Sequence, residues 1–529
     1  VKFKRTPKLL GALLLGAGFG SGTALAEDLF TNLRAGKPDV VRIEQGELQG
    51  YQSAGASSFL GIPYAAPPVG AGRWRPPAPA ASWAGVRDAG SFGSSCVQVH
   101  TFGDFAEKSE AEDCLYLNVF APATGRDRLR PVMVWLHGGG LINGRSNDYD
   151  GRRLVTDGNT VVVSLNYRLN LFGFLAHPAL DAEGHPSVSY GVLDQQAALQ
   201  WVRRNIKAFG GDPDNVTLFG ESAGGLAILF NMVSPSAAGL FHKAILQSGV
   251  SVAPQIPLEA AQAHGTKFAA AAGCADQSAA CLRSLSVAQI IERANSYTAT
   301  AIRAVDGRVM KQPVQQAFAE GNFHKVPVLA GNNRDEFNWF IALNELAAGK
   351  PLRAEEYVPT LIKQYGEEKG QKIAAEYPLA RYGSPSEALA AAQTSWFFIC
   401  PSFRAMRSIA MHAPVYAYEF IDAQAPPAFK PVSFPYGAGH TLEIQYVFPR
   451  FHGARGTPHD LSGAQAKLSA EMTGYWTRFA AKGDPNGGSA PRWDRFAGKE
   501  GPVQLLSPAG TRTAADTGVD RKCSIWDAL

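Results

Sequence analysis

The chain has 529 residues, 46% of them hydrophobic and 18% charged, which is the composition of an ordinary globular protein with ample length for a large core. Its formal charge of +4 belongs to residues 1–26, which hold Lys2, Lys4, Arg5 and Lys8 and no acidic residue; beyond them 46 basic residues face 46 acidic ones. That balance removes any global electrostatic case for nucleic acid or acidic membranes as partners.

In chain order, the basic start leads into an apolar run from Leu9 to Phe19 and then Ala24-Leu25-Ala26. This pattern reads as a secretory signal peptide, residues 1–26, cut after Ala26. A membrane span would need about 20 apolar residues, and this run is shorter and broken by Gly11, Gly16, Gly18 and Gly20. The expectation is an exported chain, periplasmic or extracellular, without a stable membrane anchor, in which 27–529 form a single catalytic domain. All six cysteines lie beyond the leader, so disulfides are the default reading. No C-x-x-C or H-E-x-x-H occurs, and no metal or cofactor is expected.

From Val41 to Pro77, alternating apolar residues punctuated by Gly and Pro predict short antiparallel strands and turns. Leu115–Phe120 reads as a further strand. Val132–Leu136 and Thr160–Leu165 are nearly continuous apolar runs, the pattern of strands covered on both faces. Leu193–Ala208 predicts an amphipathic helix, Val216–Phe219 a strand, and Val326–Ala330 and Val415–Phe420 two more. Strands alternating with helices imply an α/β fold with a large, mostly parallel central sheet, whose ligands sit at the carboxyl ends of strands. The regions Ile256–Gln316 and Leu352–Ala410 read as helical insertions. Leu468, Met472, Tyr475, Trp476 and Phe479 recur at helical spacing up to Gly483 and mark a core-facing helix.

The stretch Phe219-Gly220-Glu221-Ser222-Ala223-Gly224-Gly225 joins an apolar strand to a helical segment, Leu226–Val233. This is the context of a G-x-S-x-G nucleophile elbow, in which a sharp turn flanked by glycines projects the serine hydroxyl above the sheet. Ser222 is the candidate nucleophile. A serine needs a base to take its proton, an acid to orient the base, and preplaced N–H donors for the oxyanion. His137-Gly138-Gly139-Gly140, directly after the Val132–Leu136 strand, is an obvious source of donors. For the acid, Asp335 and Glu336 are both available; for the base, His440 stands on a Gly-rich loop, with His412, His452 and His459 as rivals.

Four stretches together resemble the type-B carboxylesterase family, the cholinesterase-like branch of the α/β hydrolases: Glu112 to Val119, the triple-glycine loop, Asn166-Tyr167-Arg168-Leu169, and Phe209 to Pro213 leading into the elbow. The similarity covers nearly all of the chain beyond the leader and implies the α/β-hydrolase fold. Gly331-Asn332-Asn333-Arg334-Asp335-Glu336-Phe337 is similar to the family's acid-bearing segment and points to Glu336, although the family usually has glycine at the position of Phe337. Gly437 to Glu443 matches G-x-x-H-x-x-E and points to His440. The family correspondence gives the oxyanion donors as Gly139, Gly140 and Ala223, and the disulfides as Cys96–Cys114, Cys274–Cys281 and Cys400–Cys523. The implied activity is a secreted serine hydrolase of small uncharged carboxylic esters. Between Cys96 and Cys114 there is no tryptophan to cage a quaternary ammonium, only Phe102 and Phe105. The alternatives are an interfacial lipase and a non-catalytic binding protein on the same scaffold.

Overall fold

The apolar runs become neighbouring strands. In this computed structural model, which describes residues 33–99, 102–185, 188–250, 255–293, 304–497, 501–514 and 522–528, the strands are β1 (Lys37–Ile43), β2 (Gly46–Ser53), β3 (Ala56–Pro63), β4 (Val86–Asp88), β5 (Tyr116–Pro122), β6 (Arg130–Leu136), β7 (Val161–Leu165), β8 (Gly211–Glu221), β9 (Lys243–Gln247), β10 (Ile256–Pro257), β11 (Ala304–Val305), β12 (Val328–Asn333), β13 (Val415–Phe420), β14 (Val503–Leu506) and β15 (Arg512–Ala514). One sheet runs β1-β2-β3-β5-β7-β6-β8-β9-β12-β13-β14-β15, with β4 beside β2; β10 and β11 pair separately. Neighbours are parallel from β7 through β14 and antiparallel from β1 to β7 and at β14–β15. The proposed leader lies outside the described residues.

The near-continuous apolar runs are explained by two cores, one on each face. Val132, Val134 and Leu136 of β6 enter one core with Val161, Val163 and Leu165 of β7 and Val216 and Leu218 of β8. The alternate residues Met133, Trp135, Val162 and Phe219 enter the other. A period of two with both phases apolar is what a strand buried on both faces requires. The first face carries small aliphatic side chains and is covered by Tyr190–Asn205 and Ala223–Val233; the second is aromatic and is covered by Gly463–Lys482, which contributes Leu468, Met472, Tyr475, Trp476 and Phe479. That last helix opens with a reciprocal Ser462–Gln465 capping box and closes at Gly483, where φ is +72°.

Several boundaries differ from the sequence expectation. The helix expected over Leu193–Ala208 begins at Tyr190 and ends at Asn205, tightening into a 3-10 turn, Ile206–Phe209, that Gly210 stops at φ +78°. β8 is longer than Val216–Phe219 because its ladder with β9 continues to Glu221 opposite Gln247, delivering the chain directly to Ser222. β12 is shifted from Val326–Ala330 to Val328–Asn333 by pairing with β13 as far as Asn333 opposite Phe420. β9 and β14 escape a hydropathy reading because Lys243, Gln247 and Gln504 interrupt segments that are nevertheless fully buried. The Leu352–Ala410 insertion is helical and contains a π-helical turn, Thr394–Ile399, whereas Ile256–Gln316 also contributes the β10–β11 pair.

The disulfides are Cys96–Cys114, Cys274–Cys281 and Cys400–Cys523. Among the described residues no helix is long and apolar enough to cross a membrane.

Candidate active site

β8 ends at Glu221 and a helix starts at Ala223, leaving Ser222 to make the whole turn at φ +54° and ψ −121°. A non-glycine residue in such a conformation costs on the order of 1–3 kcal/mol and persists only where its surroundings hold it. They do: Ser222 N–H donates to Gln247 O at 2.8 Å, and Ser222 O accepts from Leu226 N–H at 3.0 Å. The glycines admit close backbone passage. A Cβ on Gly249 would lie 2.5 Å from Ser222 O, and one on Gly225 would lie 2.8 Å from the Gly249 Cα.

The triple-glycine loop turns back on the elbow. Ile142 and Asn143 N–H both donate to Gly139 O, at 3.1 and 2.9 Å, and the chain passes through positive φ at Gly139, Gly140 and Leu141. A Cβ on Gly138 would sit 2.6 Å from Glu221 Oε2 and 3.2 Å from Ser222 Cβ, so the loop abuts the Ser222 turn itself. Neither Gly139 nor Gly140 donates its N–H to any group among the described residues. Ala223 opens its helix, in the turn whose N–H groups lack intrahelical acceptors. His137 is stacked on Tyr167 at 4.4 Å, its carbonyl accepts from Tyr167 Oη at 2.7 Å, and burial lowers its pKa to about 4, so it is a neutral structural side chain.

Glu336 and His440 are brought together. Glu336 lies three residues beyond β12; its Oε1 accepts from Asn333 N–H at 2.8 Å and its Oε2 hydrogen-bonds His440 Nδ1 at 2.6 Å. Both carboxyl oxygens are thus engaged, and both residues are buried. Asp335 faces elsewhere, accepting from Ala438 N–H at 2.9 Å and pairing with Arg334 at 2.8 Å, which ties the acid-bearing turn to the loop carrying His440. The other histidines lie elsewhere: His452 is bonded to Arg450 O, His459 to Pro427 O, and His412 packs on Phe323. Ser222 Oγ makes no hydrogen bond among the described residues. His440 Nε2 instead faces Glu221 Oε1 at 3.2 Å.

The model of the carboxylesterase family matches residues 37–526. The chain belongs to the carboxylesterase family. It is 35% identical over 492 residues to a human cocaine esterase, covering 86% of this chain and 85% of that one, and 35% identical over 465 residues to the para-nitrobenzyl esterase of Bacillus subtilis (strain 168), covering 84% and 90%. A solved thermophilic para-nitrobenzyl esterase superposes with a TM-score of 0.78 at 32% identity, over 92% of this chain and 99% of that one. The chain is accordingly a carboxylic ester hydrolase with the α/β-hydrolase fold.

This carboxylesterase buries two further acids beside the triad candidates. Glu221 is fully buried and neither of its carboxyl oxygens has a hydrogen-bond partner among the described residues, and burial raises its pKa well above the ordinary carboxylate range. Glu443 accepts from Gln247 at 3.1 Å and from Asn333 at 2.6 Å, and burial raises it too. Burial by itself depresses the His440 imidazole, but Glu221 and Glu336 outweigh it and push the pKa up to about 9. The sequence contained both extra acids, one preceding Ser222 and one closing G-x-x-H-x-x-E, but burial is what gives them a role. Trp339, Phe340 and Phe398 were also missed; their ring centroids lie 5.7, 5.0 and 4.9 Å from that of His440. Nothing in their spacing alone distinguishes them from core residues.

Proposed function

We propose that this protein is an exported serine esterase that cleaves small, uncharged carboxylic esters through Ser222, His440 and Glu336. His440, neutral at the start and held in orientation by Glu336, takes the proton of Ser222, whose Oγ attacks the ester carbonyl. The N–H groups of Gly139, Gly140 and Ala223 receive the oxyanion, and each such donor is worth about 10²–10³ in kcat. The tetrahedral species collapses, His440 Nε2 passes the proton to the departing alcohol, and a water deprotonated by the same imidazole releases the acid from the acyl-enzyme. No cofactor or metal is needed for these steps.

The observation that carries this reading is the 2.6 Å contact between His440 and a Glu336 whose other oxygen is also fixed, on an imidazole whose far nitrogen points to the elbow residue Glu221. In apo structures the bond from nucleophile to base is often loose and tightens with substrate. Export is supported by the three disulfides, which persist in oxidising compartments. Neutral substrates are supported by the absence of any tryptophan between Cys96 and Cys114. The test is covalent labelling with a fluorophosphonate and peptide mass spectrometry: the adduct is expected on Ser222, with loss of 4-nitrophenyl acetate turnover in step. An adduct elsewhere, or a Ser222→Ala protein that still turns over the ester at the wild-type rate, refutes the assignment.

A further inference from the structure

Six aromatic rings run without interruption from the oxyanion loop to the protein surface. A Cβ on Gly140 would meet the Phe102 ring at 3.4 Å. Phe102 packs on Trp339 with ring centroids 5.8 Å apart, Trp339 on Phe340 at 4.8 Å, Phe340 on Phe337 at 4.9 Å, Phe337 on Phe397 at 5.8 Å, and Phe397 on Trp396 at 5.8 Å. Trp396 ends the run in solvent, 44% exposed. Phe337 is the fourth ring of the six and is only partly buried. It also packs edge-on against Phe398 at 5.8 Å, so it touches both rings that lie nearest the His440 imidazole, Phe340 and Phe398.

Its position is fixed from two sides. The preceding residue, Glu336, is held by His440 and Asn333, and the Phe337 N–H donates to Thr394 Oγ1 at 2.9 Å. Thr394 begins the π-helical turn that presents Phe397 and Phe398, an irregularity that recurs at functional sites. Helix and turn are thereby tied together, with Phe337 packed edge-on against both Phe397 and Phe398, an arrangement that aromatic pairs favour.

We propose that Phe337 is the specificity-determining residue of this esterase: it wedges Phe340 and Phe398 toward His440, so that the ester group facing this wall must be planar or unbranched. The proposal rests on the reading of Ser222 and His440 as the reacting pair. Its test uses two ester series, one varying the acyl group on a fixed 4-nitrophenyl leaving group from acetate and butyrate to pivalate, the other varying the alcohol of an acetate ester from ethyl and benzyl to tert-butyl. Phe337→Ala is expected to raise the ratio of kcat/KM for the branched to the unbranched member at least 10-fold in one series and to leave the other series and the unbranched esters within about threefold. Phe337→Leu, which preserves more volume and stability, is expected to shift the same ratio in the same direction by less. A ratio unchanged in both series, or moved equally in both, overturns the proposal. Ser222→Ala run on the same esters separates the two claims: if it abolishes all turnover while the Phe337 ratios stay flat, the wedge is wrong and the nucleophile is right; if turnover survives, the fault lies with the nucleophile.

Discussion

Glu336 and His440 are joined at 2.6 Å, while Asp335, the residue immediately before, turns to the Ala438 N–H on the loop that carries the histidine. Adjacent carboxylates therefore do different work, one on the imidazole and the other on the backbone of its loop. Replacing a triad acid by its amide keeps the shape but presents the wrong hydrogen-bonding partner to the imidazole, at a cost of about 10⁴ in kcat. Glu336→Gln is expected to lose roughly that factor in 4-nitrophenyl acetate turnover with an unchanged circular dichroism spectrum. Asp335→Asn removes a charge-assisted bond worth about 1.5–3 kcal/mol and is expected to appear chiefly as a lower melting temperature. Equal kcat losses from the two variants would count against the assignment.

Gly138 offers a steric test of the same site. An added methyl would sit 2.9 Å from Glu221 O and 3.2 Å from Ser222 Cβ, and the first of these is backbone at the end of a buried strand. Relief requires moving either the triple-glycine loop or the elbow, and displacement of catalytic donors by about 1 Å can cost 10²-fold. Gly138→Ala is expected to fold, to lose about 10²-fold or more in kcat, and to bind a neutral phosphonate transition-state mimic more weakly by a similar factor. Wild-type affinity for the mimic would show that the donors had not moved.

The pH dependence follows from Glu221. The base must be neutral to act, and a pKa raised from 6.5 to about 9 delays that state to higher pH. Activity is therefore expected to rise with pH across the window between these values. Part of the upward push comes from the Glu221 carboxyl at 3.2 Å. Glu221→Gln leaves the volume nearly intact and removes that charge, so the acidic limb of the kcat/KM profile is expected to move down, toward 6.5. A limb that stays in place would mean that Glu221 keeps its proton throughout the titration.

The parts of this site that lie on one continuous stretch were legible in the sequence. Ser222 between its glycines, the triple-glycine loop, and the two central strands β6 and β8 that carry them announce themselves through spacing and apolar runs, whereas singling out Gly139 and Gly140 within the loop needed resemblance. Choosing Glu336 over Asp335 needed resemblance, because two adjacent carboxylates look alike until one sees which of them reaches the imidazole. The strand β9 was missed although Gln247 at its end accepts from Ser222 N–H and from Trp476 Nε1 while its amide donates to Glu443. A buried glutamine with every polar atom paired resembles a surface residue in hydropathy, and its role is created by long-range contacts. The ring cluster at His440 is hidden for the same reason, assembled from Trp339 and Phe340 on one helix and Phe398 on a turn about sixty residues later.

The Cys400–Cys523 bond joins the helix Cys400–Ala410, which follows the π-helical turn, to the terminal helix Cys523–Ala528. The terminal segment has other ties: Arg404 pairs with Asp527, Lys522 Nζ lies 3.2 Å from Glu376 Oε2, and Trp526 Nε1 donates to Tyr377 Oη at 3.0 Å. Half-exposed ion pairs of this kind contribute about 0–1 kcal/mol each, too little to hold a short helix in place. The covalent bond closes a sequence separation of 123 residues, for which chain-entropy models give about 5 kcal/mol. The double variant Cys400→Ser/Cys523→Ser is expected to melt several degrees lower than the wild type by scanning calorimetry. Limited proteolysis should then remove the terminal helix first. Because Cys400 directly follows Ile399, the last residue of the turn that sets Phe398 against His440, the variant should also lose part of its discrimination against branched esters at temperatures well below its melting point. If the melting temperature drops but discrimination is fully kept, the turn is held by Thr394 and its own packing, and the disulfide serves the terminal helix alone.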